Sequence, residues 1–318
     1  SACERACRAP GAAPHPASME CCGAGRPLPA TSVVLEGVLP AATLERVQEA
    51  AEAYLDAGDG EMEAVEAETG GSAIDSLTWT HWVPLRADGA SAVGTLASPP
   101  RHAIEDAVCA LAALHELAAA IAQLSGGGAE VCGVEWWLQE QGPEDAPKEL
   151  HTDKDVSREA GSLGDFRTSY PLVSSVFYLS STGGPTAVFD QREADGAMSP
   201  PSPPRVTLAF PRPNRLLLFK GELLHGVCHA PQPPALPPTE DAPRRTLLFN
   251  WWATRPGGAS REGVPRSLRS AGGVEGAAGE PVRCRAGRAE AMAEGVARAC
   301  PATVRSPGPY PEDAASWQ

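Results

Sequence analysis

The 318-residue chain lacks several features that would place it in common classes of protein. No apolar run approaches the roughly 20 residues that a membrane-spanning helix needs. The formal net charge of −14 argues against a general affinity for nucleic-acid backbones. None of the nine cysteines forms a Cys-x-x-Cys pair, so a zinc ribbon is disfavoured. The first thirty residues have no apolar stretch typical of a secretory signal. We therefore expect a soluble protein of the cytoplasm or an organelle.

Composition divides the chain into three parts. Residues 1–30 are rich in Ala, Pro, Gly and Cys and predict a flexible leader. Residues 31–255 carry the periodic apolar pattern, with helical support over 31–129 and short strands over 130–255. Residues 256–318 form a tail rich in Gly, Ala, Arg and Pro. Seven or eight short strands with Gly/Pro-rich turns favour a mainly β fold with flanking helices, built on a double-stranded β-helix, or jelly-roll, core.

The longest predicted helix runs from Pro100 to about Ser125 and ends at consecutive glycines. Charge is unevenly distributed along the rest of the chain. Glu36–Asp75 holds eleven acidic residues and one basic residue, whereas Arg244–Arg305 holds eleven arginines and five glutamates. We interpret these runs as a solvated acidic helix and a basic tail, and the alternative is a tail that docks an acidic partner.

Three residues have side chains suited to binding ferrous iron. His151 and Asp153 lie two positions apart, so on a strand both side chains project to the same face. His225 follows an apolar strand and a short turn, and it would come from a neighbouring strand. Two imidazoles and one carboxylate form a facial triad that leaves open coordination positions on iron. By itself, a His-x-Asp tripeptide is a common coincidence.

Further motifs follow His-x-Asp in a fixed order. They are Tyr178-Leu-Ser, Gly183-Gly-Pro-Thr-Ala-Val-Phe, Asn214-Arg-Leu-Leu-Leu-Phe, Leu224-His-Gly-Val and Arg244-Arg-Thr-Leu-Leu-Phe. This set resembles the 2-oxoglutarate- and Fe(II)-dependent oxygenase superfamily, and most of all its prolyl 4-hydroxylase-like branch. The resemblance covers roughly residues 130–255. It implies His151, Asp153 and His225 as the iron ligands.

The resemblance leaves two neighbouring residues as weaker ligand candidates. Leu-His-Gly-Val fits the family pattern at His225 better than His229 does, and the His-x-Asp spacing selects Asp153 over Asp155. The stretch between His225 and Arg244 is also longer than is common in the family, which we interpret as a proline-rich insertion in a turn.

The resemblance also implies a basic residue on the last core strand that holds the distal carboxylate of 2-oxoglutarate. Arg244 and Arg245 both lie there, and strand alternation allows only one of them to point inward. The family spacing favours Arg244, with Arg245 as the alternative. A guanidinium can hold a carboxylate with two parallel hydrogen bonds and stays charged when buried. Thr246 shares a face with Arg244, and Tyr178 matches a family position that contacts the co-substrate.

The expected function is an Fe(II)- and 2-oxoglutarate-dependent dioxygenase that hydroxylates a protein side chain or a small molecule and releases succinate and CO2. Ascorbate is an optional further cofactor. The partner would be a small-molecule or peptide substrate, and the negative charge argues against nucleic acid. The alternative is a non-catalytic metal-binding jelly-roll, similar to a cupin, that serves as an interaction module. The arginine on the last strand disfavours a zinc hydrolase, because hydrolysis needs no residue that binds a dicarboxylate.

Overall fold

A computed structural model describes residues 30–57, 80–87, 89, 91–143, 145, 148–158, 166–194, 196–228, 242–257 and 268. Nearly all of the predicted leader and of the predicted tail lies outside the described residues, and so does His229. The elements are, in chain order, β1 (Ser32–Glu36), α1 (Ala41–Asp56), β2 (His81–Arg86), β3 (Thr95–Leu96), α2 (Ala103–Ala112), α3 (His115–Ser125), β4 (Gly133–Gln141), β5 (Asp155–Arg158), β6 (Phe166–Ser169), β7 (Val173–Tyr178), β8 (Thr186–Ala194), β9 (Ala197–Ser199), β10 (Val206–Ala209), β11 (Arg215–Lys220), β12 (Leu223–Val227) and β13 (Arg244–Trp252).

Two antiparallel sheets form the core of the fold. The major sheet has the order β1-β11-β7-β13-β4-β2-β3, and the minor sheet has the order β10-β8-β12. A bridge between His151 and His225 adds one more segment beside β12. From β4 onward the chain therefore alternates between the two sheets. It passes from β4 in the major sheet to the His151 segment in the minor sheet, back to β7, and then to β8 and β10 in the minor sheet. It ends with β11 in the major sheet, β12 in the minor sheet and β13 in the major sheet. This path is that of a double-stranded β-helix, so the predicted fold class is confirmed.

The helices cover the outer face of the major sheet. The single helix predicted over 100–125 is instead two helices, α2 and α3, which meet at an angle of 73°. Leu114 between them has an extended backbone, and the bend lets Leu111 and Ile121 both reach the core, where each is fully buried. The apolar spacing alone does not reveal this bend. Within the described ranges no single helix is long and apolar enough to cross a membrane. The bent pair of α2 and α3 taken together reaches that length and apolar composition.

Strand alternation separates the two faces of the major sheet. Leu247 and Phe249 of β13 pack outward with the helices, whereas Leu248 packs inward toward the minor sheet. Cross-strand register orders the inward side chains into rows. From the Arg244 end of β13 these are the anchor row (Tyr178 and Thr246), the apolar row (Leu217, Val176, Leu248 and Trp137) and the polar row (Ser174, Asn250 and Glu135).

Candidate active site

The structure brings His151, Asp153 and His225 together at one end of the space between the sheets. One ligand atom from each lies within 4.8 Å of the others. Asp153 Oδ1 is 3.8 Å from Nε2 of His151 and 3.6 Å from Nε2 of His225. His225 is buried, and its ring lies 4.7 Å from that of Phe219 on the major sheet. Two residues that lie two positions apart in sequence thus meet a third from a strand far along the chain.

Hydrogen bonds orient both imidazoles for metal binding. Nδ1 of His151 lies 2.7 Å from the Glu149 carbonyl oxygen, and Nδ1 of His225 lies 3.0 Å from the Leu223 carbonyl oxygen. A carbonyl only accepts, so Nδ1 carries the proton in each ring and Nε2 presents its lone pair to the cluster. Burial lowers the pKa of His151, and the neighbouring His225 lowers it further, which favours the neutral ligand form.

Close backbone approach explains the glycine after His225. The amide of His151 donates to the His225 carbonyl at 2.8 Å, and the reverse bond measures 2.9 Å. A Cβ at Gly226 would lie 2.9 Å from the Lys148 carbonyl oxygen, so a larger residue would push the His151 segment away from β12. The donor set, two imidazole nitrogens and one carboxylate oxygen, fits ferrous iron and related divalent metals.

A buried arginine occupies the inner face at the start of β13. Arg244 is only 2% exposed, and its guanidinium donates to the Gly184 carbonyl at 3.2 Å and to the hydroxyls of Thr186 at 2.9 Å and Thr246 at 3.4 Å. All these acceptors are neutral, and within the described ranges no carboxylate pairs with Arg244. Burial lowers its pKa, with the neighbouring Tyr178 acting in the opposite direction. A buried cation without an anion is a ready site for a carboxylate ligand.

The adjacent arginine points the other way. Arg245 is bonded to Glu140 at 2.6 Å and lies 3.7 Å from Glu52 on α1, on the outer face of the sheet. Because residue 183 is a glycine, the backbone at that position can lie close to the Arg244 side chain. The φ of Gly183 is +86°, and a Cβ there would lie 2.6 Å from Cβ of Arg244.

Tyr178 and Thr246 lie where the sequence pattern predicts, beside Arg244. The hydroxyl of Tyr178 donates to Thr186 at 2.7 Å, and its ring lies 5.5 Å from the Arg244 guanidinium carbon. Burial raises the pKa of Tyr178, so it stays a neutral donor. Sequence reasoning missed Thr186, which links Tyr178 to Arg244. The signal for it was a hydroxyl residue directly after Gly183-Gly-Pro at the start of β8.

Sequence reasoning also missed the polar row. Glu135 accepts hydrogen bonds from Trp252 Nε1 at 3.0 Å and from Thr80. Burial raises its pKa, these two hydrogen bonds act in the opposite direction, and the nearby carboxylates of Asp153 and Asp155 raise it further. Trp137, a member of the apolar row, faces the space between the sheets. Its neighbour Trp136 packs into the core under the helices.

Solved structures with a similar fold include a prolyl-4-hydroxylase and an oxidoreductase of the 2OG-Fe(II) oxygenase family. A prolyl-4-hydroxylase from Pseudomonas putida matches at 21% identity with a TM-score of 0.35, covering 70% of this chain and 88% of that chain. HygX from Streptomyces hygroscopicus, solved with nickel and 2-oxoglutarate bound, matches at 14% identity with a TM-score of 0.33, covering 70% and 83%. A 2OG-Fe(II) oxygenase family oxidoreductase from Burkholderia pseudomallei matches at 16% identity with a TM-score of 0.30, covering 57% and 70%. Neither protein-family models nor curated proteins gave a match.

Proposed function

We propose that the protein is an Fe(II)- and 2-oxoglutarate-dependent dioxygenase that hydroxylates a protein side chain or a small molecule. The observation that supports this most is the pairing of two sites on facing sheets. One is the cluster of His151, Asp153 and His225. The other is the buried Arg244, which has no carboxylate partner in the part of the chain that the structure describes. A hydrolytic metal site would have no use for such an anchor.

Each part of the site has a defined task in this proposal. His151, Asp153 and His225 would hold iron through one atom each and leave its other positions open. Bound iron with 2-oxoglutarate would supply the oxidation by dioxygen, in which one oxygen atom enters the substrate, the other enters succinate, and CO2 leaves. Arg244 would hold the distal carboxylate of 2-oxoglutarate, and Thr246 is placed to add its hydroxyl.

The apolar row and the anchor row support the choice of a dicarboxylate with an apolar middle. Leu217, Val176 and Leu248 line the sheet between the anchor row and the level of Phe219, which contacts His225. They are buried and pack together in one cluster. Methylene groups between two carboxylates would be desolvated there, while Arg244 would neutralise the distal charge.

Metal and co-substrate binding test the proposal directly. Under anaerobic conditions, Fe(II) and 2-oxoglutarate together should produce a weak visible charge-transfer band. His225→Ala should abolish both the band and the uncoupled release of succinate in air. His115→Ala is the matched control, because His115 is exposed at the start of α3 and should change neither. A band that survives in the His225→Ala variant would show that the ligand assignment is wrong, and metal binding without any band or succinate would favour the non-catalytic jelly-roll.

A further inference from the structure

The polar row lies at the level of the candidate metal ligands. Ser174 of β7, Asn250 of β13 and Glu135 of β4 are successive cross-strand partners on the inner face of the major sheet. The next partner of Ser174 is Phe219 on β11, whose ring lies 4.7 Å from that of His225. The polar row therefore crosses the sheet beside the metal cluster, on the side of the apolar row away from Arg244.

Among the residues that the structure describes, two atoms of the polar row are buried without a hydrogen-bond partner. They are Oγ of Ser174, a residue 1% exposed, and Oδ1 of Asn250, a residue 3% exposed. A buried polar atom left unsatisfied costs about 1–3 kcal/mol, and such atoms are rare in folded proteins. Ser174 and Asn250 are directly opposite each other in the register, so both unpartnered oxygens belong to the same small space. Their proximity points to a ligand with hydrogen-bond donors.

Negative groups dominate the electrostatics at Glu135, and the cation Arg255 lies over the ring of Trp82, the cross-strand partner of Glu135. Glu135 is mostly buried and accepts hydrogen bonds from Thr80 and Trp252, and within the described ranges it has no cationic partner. The charged groups that act on Glu135 most strongly are the carboxylates of Asp153 and Asp155. Buried carboxylates in folded proteins are normally paired with a cation. Iron at the cluster would offset Asp153, but Glu135 is not part of the group of possible metal ligands.

We propose that the polar row binds a primary ammonium group of the substrate. An ammonium group has three N–H donors, and the row offers the Glu135 carboxylate, Asn250 Oδ1 and Ser174 Oγ as three acceptors. The inference rests on the proposed function and deepens it, because an amine held here would present a neighbouring C–H bond to the metal centre. The substrate class is then an amine, either a free small molecule such as an amino sugar or the side chain of lysine in a peptide.

The indole N–H of Trp252 provides a readout that does not depend on turnover. It donates to Glu135 at 3.0 Å, so a cation that binds Glu135 should shift its NMR signal. The 318-residue protein would be labelled with ¹⁵N and loaded with 2-oxoglutarate and with Zn(II), which is chosen because it is diamagnetic. The signal would be assigned with a Trp252→Phe variant. Glucosamine and Nα-acetyl-lysine methylamide are the two ammonium probes, with glucose and Nα-acetyl-norleucine methylamide as their neutral counterparts.

We expect at least one ammonium probe at about 10 mM to shift the Trp252 signal, since this concentration fills even a site with a millimolar dissociation constant. Its neutral counterpart should leave the signal unchanged. The probe that binds identifies the amine source. Glu135→Gln should weaken binding roughly tenfold or more, because it removes a charge-assisted hydrogen bond. Glu140→Gln is the matched control, since Glu140 lies on the same strand but pairs with Arg245 on the opposite face.

Asn250→Ala keeps the test decisive if Glu135→Gln fails to fold, and it should also weaken binding of the ammonium probe. The proposal is overturned if neither ammonium probe shifts the signal, if the neutral counterpart binds equally well, or if Glu135→Gln or Asn250→Ala binds as tightly as the unchanged protein. A shift caused by Zn(II) alone, with no response to amines, would assign the unpartnered oxygens to metal-bound water instead. The charge-transfer band separates this result from failure of the proposed function, because an intact band without amine binding refutes only the ammonium site.

Discussion

Replacing Arg244 by Met should separate co-substrate binding from folding. The substitution removes a buried guanidinium and keeps an apolar chain of similar length. Among the described residues the guanidinium makes hydrogen bonds to neutral acceptors only, at 2.9, 3.2 and 3.4 Å. Their loss is partly offset because a desolvated charge is also removed. We therefore expect the free energy of unfolding of the ligand-free protein to change by no more than about 2 kcal/mol.

The effect on 2-oxoglutarate binding should be larger. Removing one partner of a buried, hydrogen-bonded charge pair costs about 2–5 kcal/mol. At 1.4 kcal/mol for each factor of ten, this corresponds to a dissociation constant raised about 30- to 4,000-fold. Arg245→Met should change that constant by less than about threefold, because the Arg245 side chain is about one-third exposed and pairs with Glu140 on the outer face.

Anaerobic titration of the charge-transfer band measures the dissociation constant of 2-oxoglutarate for each of the two variants. 2-Oxopentanoate is the matched ligand, because it keeps the 2-oxo acid and the chain length but lacks the distal carboxylate. It should bind equally weakly to the unchanged protein and to Arg244→Met. Tight binding of 2-oxoglutarate to Arg244→Met, or a greater loss in Arg245→Met, would refute the assignment of Arg244. A loss of 2-oxopentanoate binding in Arg244→Met would mean that the substitution had damaged the metal site.

Three further predictions concern stability and positioning. Ser174→Ala should leave the free energy of unfolding unchanged or higher, because its hydroxyl has no partner in the described part of the chain. Ser175→Ala should instead cost about 1–3 kcal/mol, because that hydroxyl donates to the Phe249 carbonyl and accepts from the Trp251 indole. Urea unfolding compares the two, and equal losses would contradict the assignment. Gly183→Ala should weaken 2-oxoglutarate binding by displacing Arg244, with unchanged affinity as the contrary result. Burial lowers the pKa of His102, so stability should fall as the pH drops below 6.5, where the unfolded chain binds the proton first. His102→Gln should flatten that part of the pH profile, and an unchanged slope would exclude His102 as its source.

Local sequence patterns were enough to predict the parts of the site that depend on strand alternation. Strand alternation predicted that Arg244 and Arg245 face opposite ways, and the structure has them so. The choice of Arg244 as the inward residue came from the family resemblance. The spacing of His151 and Asp153 likewise predicted their shared direction toward the cluster. The bend between α2 and α3 was missed, because helical periodicity continues through it and only packing against the sheet favours two helices.

The sequence by itself determined the mainly β class, the three candidate iron ligands and the faces of the paired arginines, since each depends on residues close together in the chain or on an ordered set of motifs. Tertiary structure alone decided which side chains meet across strands. Thr186 reaches Arg244 from the opposite sheet. Ser174, Asn250 and Glu135 form one row because three strands distant in sequence pair in one particular register. A shift of one residue in that register would turn each of them to the other face, and no local pattern encodes it.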